Sequence, residues 1–227
     1  MMMRLITSLT FLCLAVVLLS GCSRSPRVTY YTLNATAVPD SSAQTLEAVV
    51  IGPVTLPDLL DRPQFVVTVD TNRVDILEMH RWAAPLKSEL PRIIAADLAL
   101  LLKPARVSVY PQNSALDAVY LVQIDIQRFE MTEGKGVTVD LLWSIRRSDG
   151  GAVKNGRAAV HEPVTNGGYA PLVAAQSRAL AAVSRDLATA LRGMATAGDM
   201  LKRFPNMPNM ESDGTKLVPT GKSMRGL

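Results

Sequence analysis

The sequence predicts an α+β fold, a mainly antiparallel sheet packed by two helices. Three observations carry that expectation. Residues 64–70 and 73–78 alternate in polarity around Thr71-Asn72, the pattern of a hairpin with a two-residue turn. Residues 120–129, 137–147 and 152–160 are three more strand-like segments, joined by glycine-rich turns at 134–136 and 149–151, which makes a meander. Residues 86–102 and 170–194 instead repeat apolar side chains every three or four positions, the spacing of one helix face.

The remaining elements follow in order. Thr29-Tyr30-Tyr31-Thr32-Leu33 is β-branched and aromatic and opens the fold as a strand; residues 34–45 form a polar connection. Residues 46–54 (LEAVVIGPV) read as a buried strand that stops at Gly52-Pro53, and residues 55–63 as a Pro/Asp-punctuated loop. Pro91 is the flaw in the first helix, tolerated because it lies close to the start marked by Pro85. Residues 106–110 are a short strand. The last helix carries Val173, Gln176, Leu180, Val183, Leu187 and Leu191 at helical spacing, with alanines between them that let it lie close on a sheet. Domain bounds follow: a leader at 1–21, a tether at 22–28, one α+β domain at 29–197, and a tail at 198–227 rich in Pro, Met and Gly that is expected to be disordered.

With 227 residues, 48% apolar and 19% charged, the composition is that of a globular chain, which excludes the disordered, collagenous and multi-span membrane classes. The formal charge of +4 is spread without a Lys/Arg block, too weak a footprint for a nucleic-acid binder. The two cysteines, Cys13 and Cys22, both fall at the N-terminus, and His80 and His161 are the only histidines. A disulfide framework, a zinc cluster and a nucleophile–base pair all lack their residues, so neither an enzyme, a metal site nor a cofactor is expected.

The leader has a short basic n-region with Arg4, then an apolar run from Leu5 to Leu19. The run is short for a spanning helix and right for a signal peptide. It ends in Leu19-Ser20-Gly21-Cys22, which resembles the bacterial lipobox, in which the cysteine thiol receives a diacylglycerol and becomes the mature N-terminus. Cys22 is thus the expected lipidation site, and a covalent lipid there would be the only non-protein group. Ser23, where an Asp would resemble an inner-membrane retention signal, implies sorting to the outer membrane.

The most distinctive internal stretch is residues 51–64, IGPVTLPDLLDRPQ, followed by His80-Arg81-Trp82-Ala83-Ala84-Pro85-Leu86. Pro53, Pro57 and Pro63 stiffen the loop, while Asp58, Asp61 and Arg62 can cap or bridge its turns. Two readings stand side by side: a purely architectural loop, or a partner-binding surface made of Asp58, Asp61, Arg62 and Trp82 and held by Gly52, Pro53, Pro57, Pro63 and Pro85. Trp82, read as a loop residue between hairpin and helix, is open to surface contact; Trp143, within an alternating strand, belongs to the core.

Together with the lipobox and Tyr30-Tyr31-Thr32-Leu33, those blocks resemble the PqiC-type family of ABC-type transport auxiliary lipoproteins, over roughly residues 20–195. Leu59-Leu60 stands where that family commonly has an aromatic, and the tail has no counterpart. The resemblance implies an outer-membrane lipoprotein on the periplasmic face, accessory to an MCE-type (Pqi or Mla-like) system that moves phospholipid between membranes. Its implied partners are an MCE-domain periplasmic protein with its inner-membrane subunits, outer-membrane phospholipid and a possible second copy of the chain. A lipid-binding carrier that holds an acyl chain between helix and sheet is the alternative.

Overall fold

Alternation over residues 120–126, carried past a register shift between Ile126 and Arg128, puts Tyr120, Val122, Ile124, Ile126, Phe129 and Met131 on the buried face of one long strand, and the rest of the sheet is laid on it. The structure, a computed structural model, describes residues 2–3, 26–39, 46, 48–102, 106–111, 118–165 and 167–203, with the side chains of 199–203 excepted. Its strands are β1 (Thr29–Tyr31), β2 (Val49–Thr55), β3 (Gln64–Asp70), β4 (Arg73–Trp82), β5 (Val107–Val109), β6 (Tyr120–Thr132), β7 (Gly136–Arg147) and β8 (Val153–Pro163). The helices α1 (Leu86–Leu101) and α2 (Tyr169–Arg203) follow β4 and β8.

The eight strands make one sheet in the order β1-β4-β3-β6-β2-β5, with β7 and then β8 added at β6. β7 occupies the whole of one β6 edge. The other edge is divided: β2 pairs along Tyr120 to Asp125 and β3 meets it at Met131, so the loop at 56–63 fills the break between them. The α+β expectation and its two helices hold, and the long ladders β3–β4, β6–β7 and β7–β8 are antiparallel. Four shorter pairings, β1–β4, β2–β5, β2–β6 and β3–β6, are parallel and make the sheet mixed. Parallel partners need a crossover, and sequence alternation says nothing of which distant strand they meet.

Both helices cover one face of the sheet. Ala175, Ala179 and Ala188 are fully buried on α2, where small side chains let the helix approach β7 and β8 closely. Pro91 is inside α1 and the helix continues through it. The helix α2 runs on to Arg203, beyond the expected boundary at 197, because no proline interrupts it before Pro205. Residues 204–227, most of the leader and Cys22 lie outside the described residues.

Trp143 packs inward over Gly156, its ladder partner on β8. A Cβ at Gly156 would overlap the indole ring. Gly156→Ala should therefore destabilise the fold by about 1–3 kcal/mol through overpacking. Urea unfolding measures this; an unchanged midpoint would show that the ring has room to move.

Candidate functional site

The loop at 56–63 is built by its prolines. β2 bulges between Ile51 and Val54, which frees Pro53 from the ladder its missing N–H could not complete. Gly52 is buried there, where a Cβ would stand 3.1 Å from the Val122 carbonyl oxygen. Pro57 precedes a single 3₁₀ turn, Asp58–Leu60, closed by the Leu60 N–H donating to the Pro57 carbonyl at 2.8 Å. The Pro63 carbonyl accepts from the Trp82 N–H at 2.7 Å, and Pro85 precedes α1, accepting from the Ser88 and Glu89 N–H groups at 3.0 Å.

On this frame Asp58, Leu59 and Asp61 are exposed. The Lys87 ammonium lies 3.7 Å from Asp61, a surface pair worth about 0–1 kcal/mol. Arg62 is half-buried, and its Nε is sealed without a hydrogen bond. Trp82 corrects the sequence reading. It is the last residue of β4, only 4% exposed, with Phe65 at 4.5 Å and Phe129 at 6.3 Å between ring centroids. The strand outruns its expected end at residue 78 by four positions, which carries the indole under the loop and away from any partner.

A second cluster was not expected. Glu89 and Asp97, 1% and 0% exposed, stand just over two turns apart on the apolar face of α1. Both accept from the segment that follows β1. The Thr32 hydroxyl donates to Glu89 at 2.6 Å and the Leu33 N–H at 3.3 Å; the Thr36 and Ala37 N–H groups donate to Asp97 at 2.9 and 2.8 Å. The Asn34 N–H donates to the Ser177 hydroxyl at 3.2 Å, adding α2 to the clamp. Burial pushes the Asp97 carboxyl up from its ordinary value, against the pull of those two N–H groups and of Arg185. The signal was present in the sequence: positions 86, 89, 90, 93, 94, 97, 98 and 101 share one helix face, and two of them are acids.

His80, on β4, is half-buried between aromatics. Its Nδ1 is 3.0 Å from the Tyr31 hydroxyl, and its ring is 4.4 Å from that of Tyr169. Burial, then a hydrogen bond to Glu133, pushes the Tyr169 phenol up to about 12, and burial raises Tyr31 as well. Phenols held neutral in this way are poor nucleophiles.

Open clefts line the surface of the described residues. One of about 570 Å³ lies between the β7–β8 turn and the last turns of α2, with Ala152, Val153, Lys154, Met194 and Ala197 on its walls. One of about 560 Å³ sits on the uncovered sheet face beside Pro53, Leu142 and Asn155. Another, about 510 Å³, is polar and lined by Arg128, Glu130, Lys135 and His161. Against Trp82, Phe129 and Gln176, between sheet and helices, the space is only about 10 Å³, too small for an acyl chain. Among the described residues no cluster of His, Cys, Asp and Glu could hold a metal ion, and no helix is long and apolar enough to cross a membrane. The arrangement offers surfaces for recognition.

The family model described as ABC-type transport auxiliary lipoprotein component matches residues 31–188, from the end of β1 into α2. No curated protein matches the chain. Among solved structures, protein XCC0632 from Xanthomonas campestris, of family DUF330, is 19% identical with a TM-score of 0.64 over 75% of this chain and 99% of its own. An uncharacterized protein is 18% identical with a TM-score of 0.61 over 73% and 99%. These two share the fold.

Proposed function

From the premise that this chain belongs to the family of ABC-type transport auxiliary lipoprotein components, we propose that it is an outer-membrane lipoprotein that docks an MCE-type lipid transport system from the periplasmic face. The observation that carries the reading is the family match over α1, the first part of α2 and most of the sheet, with Leu19-Ser20-Gly21-Cys22 ending nine residues upstream of it. Cys22 is the lipidated residue. The domain works as an adaptor, with little room between sheet and helices where a carrier would hold an acyl chain.

The partner-facing surface is the 56–63 loop, with Asp58, Leu59, Asp61 and Arg62 presented and Trp82 bracing it from below. Its proline frame is preordered, so little entropy is lost on binding. Replacing Asp61 and Arg62 together by alanine should weaken association with the MCE-domain protein of the same system by about thirtyfold, one hot-spot contact's worth, with the circular dichroism spectrum unchanged. Unfolding of the double variant would make these residues an architectural clasp. A folded variant with wild-type affinity would place the interface elsewhere.

A further inference from the structure

We propose that the β3–β4 hairpin rests on the surface of the membrane that holds Cys22, with Val74 and Ile76 as its lipid-facing side chains. The inference rests on the lipid-anchor reading of Cys22 and adds an orientation to it.

The geometry comes from one register. β1 pairs in parallel with β4, Thr29 against His80, so the chain enters the fold from the side on which β4 itself begins. From His80 back to Arg73 is seven residues, an overhang of about 23 Å at the rise of a strand. From Cys22 to Thr29 is also seven residues, which span at most about 25 Å. Fully extended, the tether brings Cys22 only level with the hairpin tip. Any slacker path draws the hairpin onto the lipid.

No slack is available further along the chain. Residues 32–37 are held down by Glu89, Asp97 and Ser177. The hairpin itself is bare. β1 covers β4 only from His80 to Trp82, and β3 pairs with β6 in the ladder only at Val67 and Met131. Arg73, Val74, Asp75 and Ile76 are all exposed. Val74 and Ile76, 39% and 41% exposed, lie on one face, opposite Thr68 and Val66 in the ladder. This makes an uncharged patch bounded by Glu78 on one side and the Asp70–Arg73 pair, at 3.4 Å, on the other. Two apolar side chains would bind a bilayer weakly alone, but the tether makes their contact intramolecular, where a weak contact suffices.

The test uses the full acylated chain in vesicles of phosphatidylethanolamine and phosphatidylglycerol doped with headgroup spin-labelled lipid. From Cys22 onward the sequence has no other cysteine, so Ile76→Cys and Val153→Cys each give a single site for an environment-sensitive dye. Val153 begins β8, at the opposite end of the meander. The expected result is blue-shifted emission and severalfold stronger quenching at position 76 than at 153. Equal quenching, or stronger quenching at 153, on protein that floats with the vesicles overturns the orientation alone. Protein that fails to float overturns the anchor reading, and the orientation with it.

Discussion

Asp97→Ala should cost the folded chain about 2–4 kcal/mol, whereas Asp97→Asn should cost little or nothing at neutral pH. In the alanine variant the Ala37 N–H loses its acceptor in a site closed to water, at about 1–3 kcal/mol, and the part-buried Thr36 N–H loses the same acceptor at a smaller cost. Asparagine keeps the accepting oxygen and discards the charge. The second Asp97 oxygen is sealed without a hydrogen bond, and the help that Arg185 and Ser184 give the charge is outweighed by burial. The pH dependence has a definite sign. Burial raises the carboxyl's folded value above its unfolded one, so the contribution of Asp97 is fully present below the unfolded value of about 3.9 and is lost as pH rises through the folded value. Urea unfolding over about pH 4 to 8 should show that decline in the wild type and its flattening in Asp97→Asn. An asparagine variant as unstable as the alanine one would mean that the charge itself holds the segment.

Cys22→Ala should abolish lipid attachment and, with it, lipoprotein-type removal of the leader. A cysteine carrying two or more acyl chains buries dozens of methylenes at about 0.8 kcal/mol each, against which the exposed patch at Val74 and Ile76 is negligible without the tether. The variant should take up no labelled palmitate and should keep its leader, read as a heavier band than the processed wild type. Labelled palmitate entering the variant would place the anchor at another residue.

What could be read in the sequence was local. β3 and its turn at Thr71-Asn72 sit where alternation and turn residues put them, since a hairpin's partner is its neighbour in the chain. The β6–β7–β8 meander and the start of α1 at Leu86 were legible for the same reason. Non-local pairings were not: nothing in Tyr30 or Tyr31 names Arg81 or Trp82 as ladder partners. The burial of Trp82 depends on that pairing and on the loop above it, so an aromatic near prolines looked like a surface residue. Glu89 and Asp97 were legible in principle, as acids on an apolar helix face, but the segment they bind lies more than fifty residues upstream. At the loop, the residue types were readable and their exposure was not: Asp58 and Asp61 are open to solvent, while the Nε of Arg62 is sealed.

Leu59 offers the most direct test of the docking role. It is exposed on the single 3₁₀ turn of the loop. A photo-crosslinking residue placed there in the full chain, in intact cells, should yield one principal adduct, with the MCE-domain protein of the cognate transporter. An account of the domain as a lipid carrier predicts instead that no transporter subunit is captured and that phospholipid copurifies with the delipidated domain. That pair of results would contradict the adaptor reading.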